Sequence, residues 1–193
     1  MVLMALDHVR VYSGLPGGGP TPGIFFTRWV THFCAPAFVF LAGTSAFLHA
    51  QKNPGIPRFL VTRGAGLVLL ELTLIRFFWT FNFDYQHYLL AGVIWAIGWS
   101  MILLALLVKR PAWVVGTVGL LIIAGHNAVG PLLMSAPSDG AVGAFFKVLY
   151  IGFFNGPIQL WPGGPELTVL YSIIPWIGVM AAGFGFGAVM IMD

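Results

Sequence analysis

Long apolar stretches separated by short polar breaks run along most of this chain. Four of them, residues 31–50, 59–81, 88–108 and 112–134, approach or exceed the ~20 residues needed to cross about 30 Å of hydrocarbon. A fifth, 168–192, has no charged residue at all, and a shorter apolar piece at 144–154 contains Lys147. Such runs predict an all-α, polytopic bundle of about six to seven membrane segments. The apolar start, residues 1–6, is followed at once by Asp7, His8 and Arg10. It reads as half a membrane helix, and the last run ends with no tail beyond Asp193. The expectation is one transmembrane domain over residues 1–193, incomplete at both ends, with its first segment truncated.

Composition supports lipid as the solvent. The chain of 193 residues is 59% hydrophobic and 8% charged, whereas soluble domains carry about 25% charged residues. The net charge of +3 is scattered singly or in pairs. That distribution marks topology and excludes a nucleic-acid patch. Cys34 is the one cysteine, so an intrachain disulfide and a Cys-pair metal site are both excluded, and a buried inert thiol is expected. No basic n-region precedes the first apolar residues, so no cleavable signal peptide is expected. Residues 13–23 (SGLPGGGPTPG) are glycine- and proline-rich but lack the Lys-Ser/Thr ending of a phosphate loop, and read as a linker.

Lys and Arg set the orientation. Lys52 and Arg58 mark one loop and Lys109 and Arg110 another, while the loops at 13–27, 82–87 and 135–143 have neither residue. The basic loops are therefore assigned to the cytoplasm. Asp7, His8, Arg10, Arg28, His32, Arg76, Asp84, His87, His126 and Asn127 then fall toward the outer leaflet. Polar groups in a bilayer tend to face a bundle interior or a wet cavity. Their shared depth predicts one outward-facing polar site.

His32 lies four residues after Arg28, on one helical face, and four before Pro36, whose missing N–H leaves the His32 carbonyl without its helical partner. It suits a general base or nucleophile. The plainer alternative is an interfacial histidine bonded to a carbonyl. His126–Asn127 repeats the device ahead of Pro131, for acceptor binding or as polar glue between helices. Asp7 and His8 point about 100° apart on a helix, so no relay forms within the dipeptide, and Asp7 and Arg10 at i, i+3 can neutralise each other. Glu71 sits at mid-membrane, either functional or paired with an arginine from another helix; Arg76, five residues on, is not its partner on an α-helix. Arg63 snorkels or meets a phosphate arriving from the cytoplasm. His49, Lys52 and Arg58 read as a cytoplasmic interface with some capacity for phosphate. His87 reads as solvated, and the aromatic clusters read as interfacial belts or core.

The motifs MVLMALDHVR, FFTRWVTHFCAPAFVFLAGTSAFL, LELTLIRFFWTFNFDY, VIWAIGWSM, AGHN and YSIIPWIGVMAAGFGFG, in this order, resemble the heparan-alpha-glucosaminide N-acetyltransferase catalytic-domain family in its bacterial branch. The resemblance implies a membrane-bound acyltransferase; with no signal for a second compartment in the sequence, the bacterial inner membrane is the expected location. The enzyme would use acetyl-CoA from the cytoplasm and deliver the acetyl group to an amino-sugar or related carbohydrate acceptor outside. His8 stands where the animal enzyme has a site asparagine. No histidine occupies the spacing of the animal active-site histidine, and His32 falls where the animal sequence has an aspartate. The expected catalytic set is His32, His8 and Asp7. Arg28, His126, Asn127, Arg76 and Glu71 are assigned to substrate, Arg63 and Arg58 to acetyl-CoA, and no residue to a metal. Lipid bilayer, acetyl-CoA and a carbohydrate are the expected partners, nucleic acid is not, and homo-oligomer formation stays open. The rival reading is a proton-coupled transporter of a small polar solute, which broken helices and Glu71 also fit; a structural membrane subunit is a third.

Overall fold

The computed structural model describes residues 2–14, 21–134, 140–152 and 156–192. Most of the 13–23 linker, Asp139 and the end of the 144–154 piece lie outside the described residues. The chain divides into two compact units, Met1–Val39 and Phe40–Asp193.

The first unit holds α1 (Val2–Tyr12), α2 (Pro22–Thr31) and the opening of α3 (Cys34–Ala50). The Thr21 side chain accepts from the Ile24 N–H and Pro22 occupies the first helical turn, which together start α2 within the stretch read as linker. His32 caps the C-terminus of α2, and its N–H donates to the Arg28 carbonyl at 3.0 Å. Helix resumes at Cys34, with the Ala37 N–H reaching the Phe33 carbonyl at 3.1 Å. The break therefore falls at His32–Phe33, where Pro36 cannot donate backward. Cys34 is half-buried instead of buried.

In the second unit α4 (Ile56–Leu70) passes through a π-helical turn, Glu71–Ile75, into α5 (Arg76–Thr80). Phe81 ends α5 in the left-handed region, at φ 51°. Then come β1 (Tyr88–Ala91), α6 (Val93–Leu107), α7 (Ala112–Met134), and α8 (Gly140–Phe146) with a second π-turn, Lys147–Ile151. The chain finishes with β2 (Ile158–Gln159), β3 (Glu166–Val169) and α9 (Ile173–Val189). α7 packs on α9, α4 on α6, and α6 on α9.

The fold is mostly helical, but a small sheet in the order β1-β3-β2 corrects the all-α expectation. β1 and β3 are parallel, with Tyr88 opposite Glu166 and Ala91 opposite Val169; β2 joins antiparallel. β1 is the leading end of the apolar run that continues as α6, and β3 straddles the start of the run that continues as α9. Within one unbroken apolar run, periodicity does not separate a four-residue strand from helix. Ala91, Trp95, Ile158, Leu167, Val169 and Ile173 form the core between this sheet and the helices.

Small residues let helices touch backbone to backbone. A Cβ on Gly43 would strike the Met180 carbonyl, and one on Gly183 would strike that of Phe40. The Thr44 hydroxyl donates to the Gly183 carbonyl at 2.9 Å across the same contact. This is small-residue packing of the membrane type.

Two helical stretches, Pro22–Ala50 and Ala112–Val129, are long and apolar enough to cross a membrane; Val93–Leu107, Gly140–Ile151 and Ile173–Val189 are apolar but shorter. The six-to-seven-span expectation is thus met only in part. Strand and loop take up residues that the apolar runs had assigned to helix. α7 leaves Trp113, Leu120 and Leu121 well exposed.

Candidate functional site

Asp7 organises the polar groups of the first unit. Its Oδ1 accepts from Arg10 Nε at 3.2 Å and Nη2 at 2.9 Å, the neutralisation expected from the i, i+3 spacing. The Thr31 hydroxyl lies 3.2 Å from the same oxygen and 3.1 Å from the Arg28 carbonyl, so α1 and α2 are joined by a polar bond. Arg10 and Thr31 are buried, Arg28 and Asp7 half-buried, and His8 and His32 exposed. His8 follows Asp7 and His32 follows Thr31 along the chain. The Asp7–Thr31 bond thus brings the two histidine-bearing backbones together, with both imidazoles accessible.

Glu71 and Arg76, in the second unit, are occupied by backbone. Glu71 is 1% exposed. Its Oε2 accepts the Trp95 N–H at 3.1 Å, and the carboxylate also takes the amides of Ile94 and Gly92. It caps the N-terminus of α6, where unpaired amides and the helix dipole favour an anion. Arg76, 0% exposed, donates to the carbonyls of Tyr88 (3.0 Å), Asn82 (2.6 Å) and Asp84 (2.5 Å). Its guanidinium lies over the Tyr85 ring, 4.6 Å from the centroid. The π-turn between the two residues changes their relative phase and sends them to different tasks.

The exposed loop that follows carries Asp84 and His87, whose Oδ1 and Nδ1 are 2.6 Å apart. The hydrogen bond from His87 is the main influence holding the Asp84 carboxyl below the usual carboxylate range.

His126 is half-buried and Asn127 exposed on α7, which stays helical through Pro131. The Tyr150 hydroxyl donates to the His126 carbonyl, and the two rings lie 6.0 Å apart. Sequence reasoning did not single out Tyr150. It emerges only because the second π-turn places it opposite α7. Lys147 was noticed but given no role, although a lone cation inside the run GAFFKVLYIG was the available signal.

At the opposite end of the unit, Arg63 lies 5.7 Å from the Phe59 ring centroid. The His49 ring, 4.6 Å from Phe59, has its Nε2 3.0 Å from Asn53 Nδ2. Arg58 and Lys52 are exposed beside them, so basic and aromatic side chains are grouped there.

No curated protein and no solved structure matches the chain significantly. The model of the family described as heparan-alpha-glucosaminide N-acetyltransferase, catalytic, matches residues 1–193, the whole chain, and the chain therefore belongs to this family of membrane acetyltransferases.

Proposed function

We propose that this chain is a multi-pass membrane enzyme that moves an acetyl group from cytoplasmic acetyl-CoA to an amino-sugar or related carbohydrate acceptor on the outer side. The family match over the whole chain carries the reading. The long apolar helices, the exposed apolar face of α7 and the small-residue helix contacts support a lipid surround. The bacterial inner membrane is the proposed location. In this scheme His32 or His8 takes the proton of the acceptor amine. The amine nitrogen then attacks the thioester carbonyl, the C–S bond breaks, and the CoA thiolate leaves and is protonated. Alternatively the imidazole carries the acetyl group transiently. Asp7 and Arg28 orient these histidines, and His126 with Asn127 contributes to acceptor binding. Glu71 and Arg76 act through the backbone they hold. Arg58 and Arg63 attract the acetyl-CoA phosphates from the cytoplasm.

The test is to incubate membranes with labelled acetyl-CoA and an amino sugar. Acetylated product is expected, and His32→Ala or His8→Ala lowers its rate by about 10²–10⁴ where that residue is the base. Undiminished turnover in both variants removes the histidine assignment. Uptake of solute without covalent change would identify a transporter instead.

A further inference from the structure

The connection between α6 and α7 presents two cations and an aromatic ring on a firmly held backbone. Val108, at the end of α6, and Val115, in the first turn of α7, are both buried, so the two flanks are anchored in the core. Between them the Arg110 N–H donates to the Leu107 carbonyl at 2.8 Å and the Val114 N–H to the Pro111 carbonyl at 2.9 Å. Lys109 and Arg110 are exposed on this short turn, and Trp113, just inside α7, is 74% exposed. Among the described residues no carboxylate pairs with either cation. Their charge is therefore available to an anion outside the chain.

The surface that leads away from the cations is apolar. Leu120 follows Trp113 by seven residues, on the same face of α7, and Leu121 stands beside it; both leucines are exposed, and Ala124 continues the face. From Trp113 to Ala124 the helix rises about 16 Å, close to half of the ~30 Å hydrocarbon thickness. The end of α9 adds to this surface. Gly119 meets Ala182, and Gly116 meets Gly185, so α9 runs antiparallel to α7 and ends near the turn. Beyond that contact Val189 and Met190 are exposed. Cations, then an indole, then one leaflet's length of apolar surface is the order of a phospholipid's own headgroup, ester region and chain. A soluble phosphate compound would use only the first of these.

We propose that this surface binds an anionic phospholipid of the cytoplasmic leaflet, with Lys109 and Arg110 on its phosphate, Trp113 at the ester level and an acyl chain along Leu120 and Leu121. The site rests on the lipid surround of the proposed function and is independent of acetyl transfer. The experiment reconstitutes the chain in phosphatidylcholine vesicles that carry increasing fractions of brominated phosphatidylglycerol or, in parallel, brominated phosphatidylcholine. Bromine quenches nearby tryptophan fluorescence, and the difference between the parent and Trp113→Phe isolates the share of Trp113. That share is expected to reach half its maximum at an about tenfold lower fraction of the anionic lipid, as two cations near the surface require. Lys109→Gln and Arg110→Gln are each expected to lower this preference about fivefold, and the double variant to bring the two lipids near parity. Lys52→Gln, at the other basic loop, is expected to keep it. Equal quenching by the two lipids in the parent overturns the proposal. So does a loss with Lys52→Gln as large as with Lys109→Gln, which would mean diffuse surface charge. Release of the anionic lipid by added coenzyme A would assign the cations to a soluble phosphate and also overturn it. If neither lipid quenches any tryptophan, the lipid surround itself fails, a result distinct from equal quenching by both.

Discussion

Arg76 and Lys147 are both buried cations of the larger unit, both in or beside a π-turn, and they are treated in opposite ways. Each guanidinium nitrogen of Arg76 donates to a backbone carbonyl within 3.0 Å, and Tyr85 covers its face. Among the described residues Lys147 has one carbonyl at 3.4 Å and a cavity. Arg76 ties α5 to the loop at 81–87 and to β1, so its hydrogen-bonding capacity is consumed in holding the chain. Among the described residues Lys147 holds little, and most of its hydrogen-bonding capacity is unspent. Burial alone therefore does not distinguish a structural cation from an unspent one; the number and length of its internal bonds does. Glu71 belongs with Arg76 on this criterion, since its carboxylate is shared among the amides that begin α6.

The contrast predicts a ranked set of stability effects, readable by thermal or denaturant unfolding in detergent. Arg76→Met buries an apolar side chain where three backbone carbonyls lose their donor, and is expected to cost about 3 kcal/mol or more. Arg76→Lys recovers only a fraction, because an ammonium cannot span the planar fork of acceptors. A loss below about 1 kcal/mol would make Arg76 no better anchored than Lys147. Glu71→Ala uncaps α6 and is expected to cost about 1–2 kcal/mol, with Glu71→Gln milder because its amide oxygen still accepts. Lys147→Met removes one long bond and a desolvated charge and adds apolar contact. Its stability is expected to stay within about 1 kcal/mol of the parent or to rise. A large loss there would show that Lys147, too, is spent on the fold.

How far this division was legible in the sequence depends on how local the interactions are. The Asp7–Arg10 pair follows from spacing along one helix. The break at His32 follows from Pro36, and the helices follow from apolar runs. Glu71 and Arg76 were visible as costly charges in a greasy segment. Their partners were not, because a turn of π-helix changes which way each side chain faces and backbone acceptors leave no mark in the residue types. The sheet was hidden for a related reason. Tyr88–Ala91 and Glu166–Val169 sit flush against long apolar helices and become strands only by pairing across a large separation in sequence. Lys147 and Trp161 meet at one cavity through that same pairing, because β2 lies antiparallel beside β3.

The weakest effect concerns Asp84 and His87 on the loop that Arg76 holds. The carboxyl lies at the surface, and its pKa lies below the ordinary 3.8, chiefly because His87 hydrogen-bonds it. A depressed folded pKa means that the unfolded chain binds the proton first as pH drops. The pair's contribution is therefore complete above the unfolded value, near 4, and is lost as pH falls through the folded value below it. His87→Ala should raise the Asp84 pKa, followed by carboxyl-carbon NMR, and flatten that acid limb of the stability profile. High salt should do part of the same, since the pair is at the surface. Arg76 also lowers this pKa through its charge, and it grips the Asp84 carbonyl. Arg76→Met should therefore raise it as well, by releasing the loop and removing the cation. Lys147→Met should leave the Asp84 titration where it was. If both substitutions move it equally, the two cations are not independent, and the distinction between a cation spent on the fold and one left largely unspent fails.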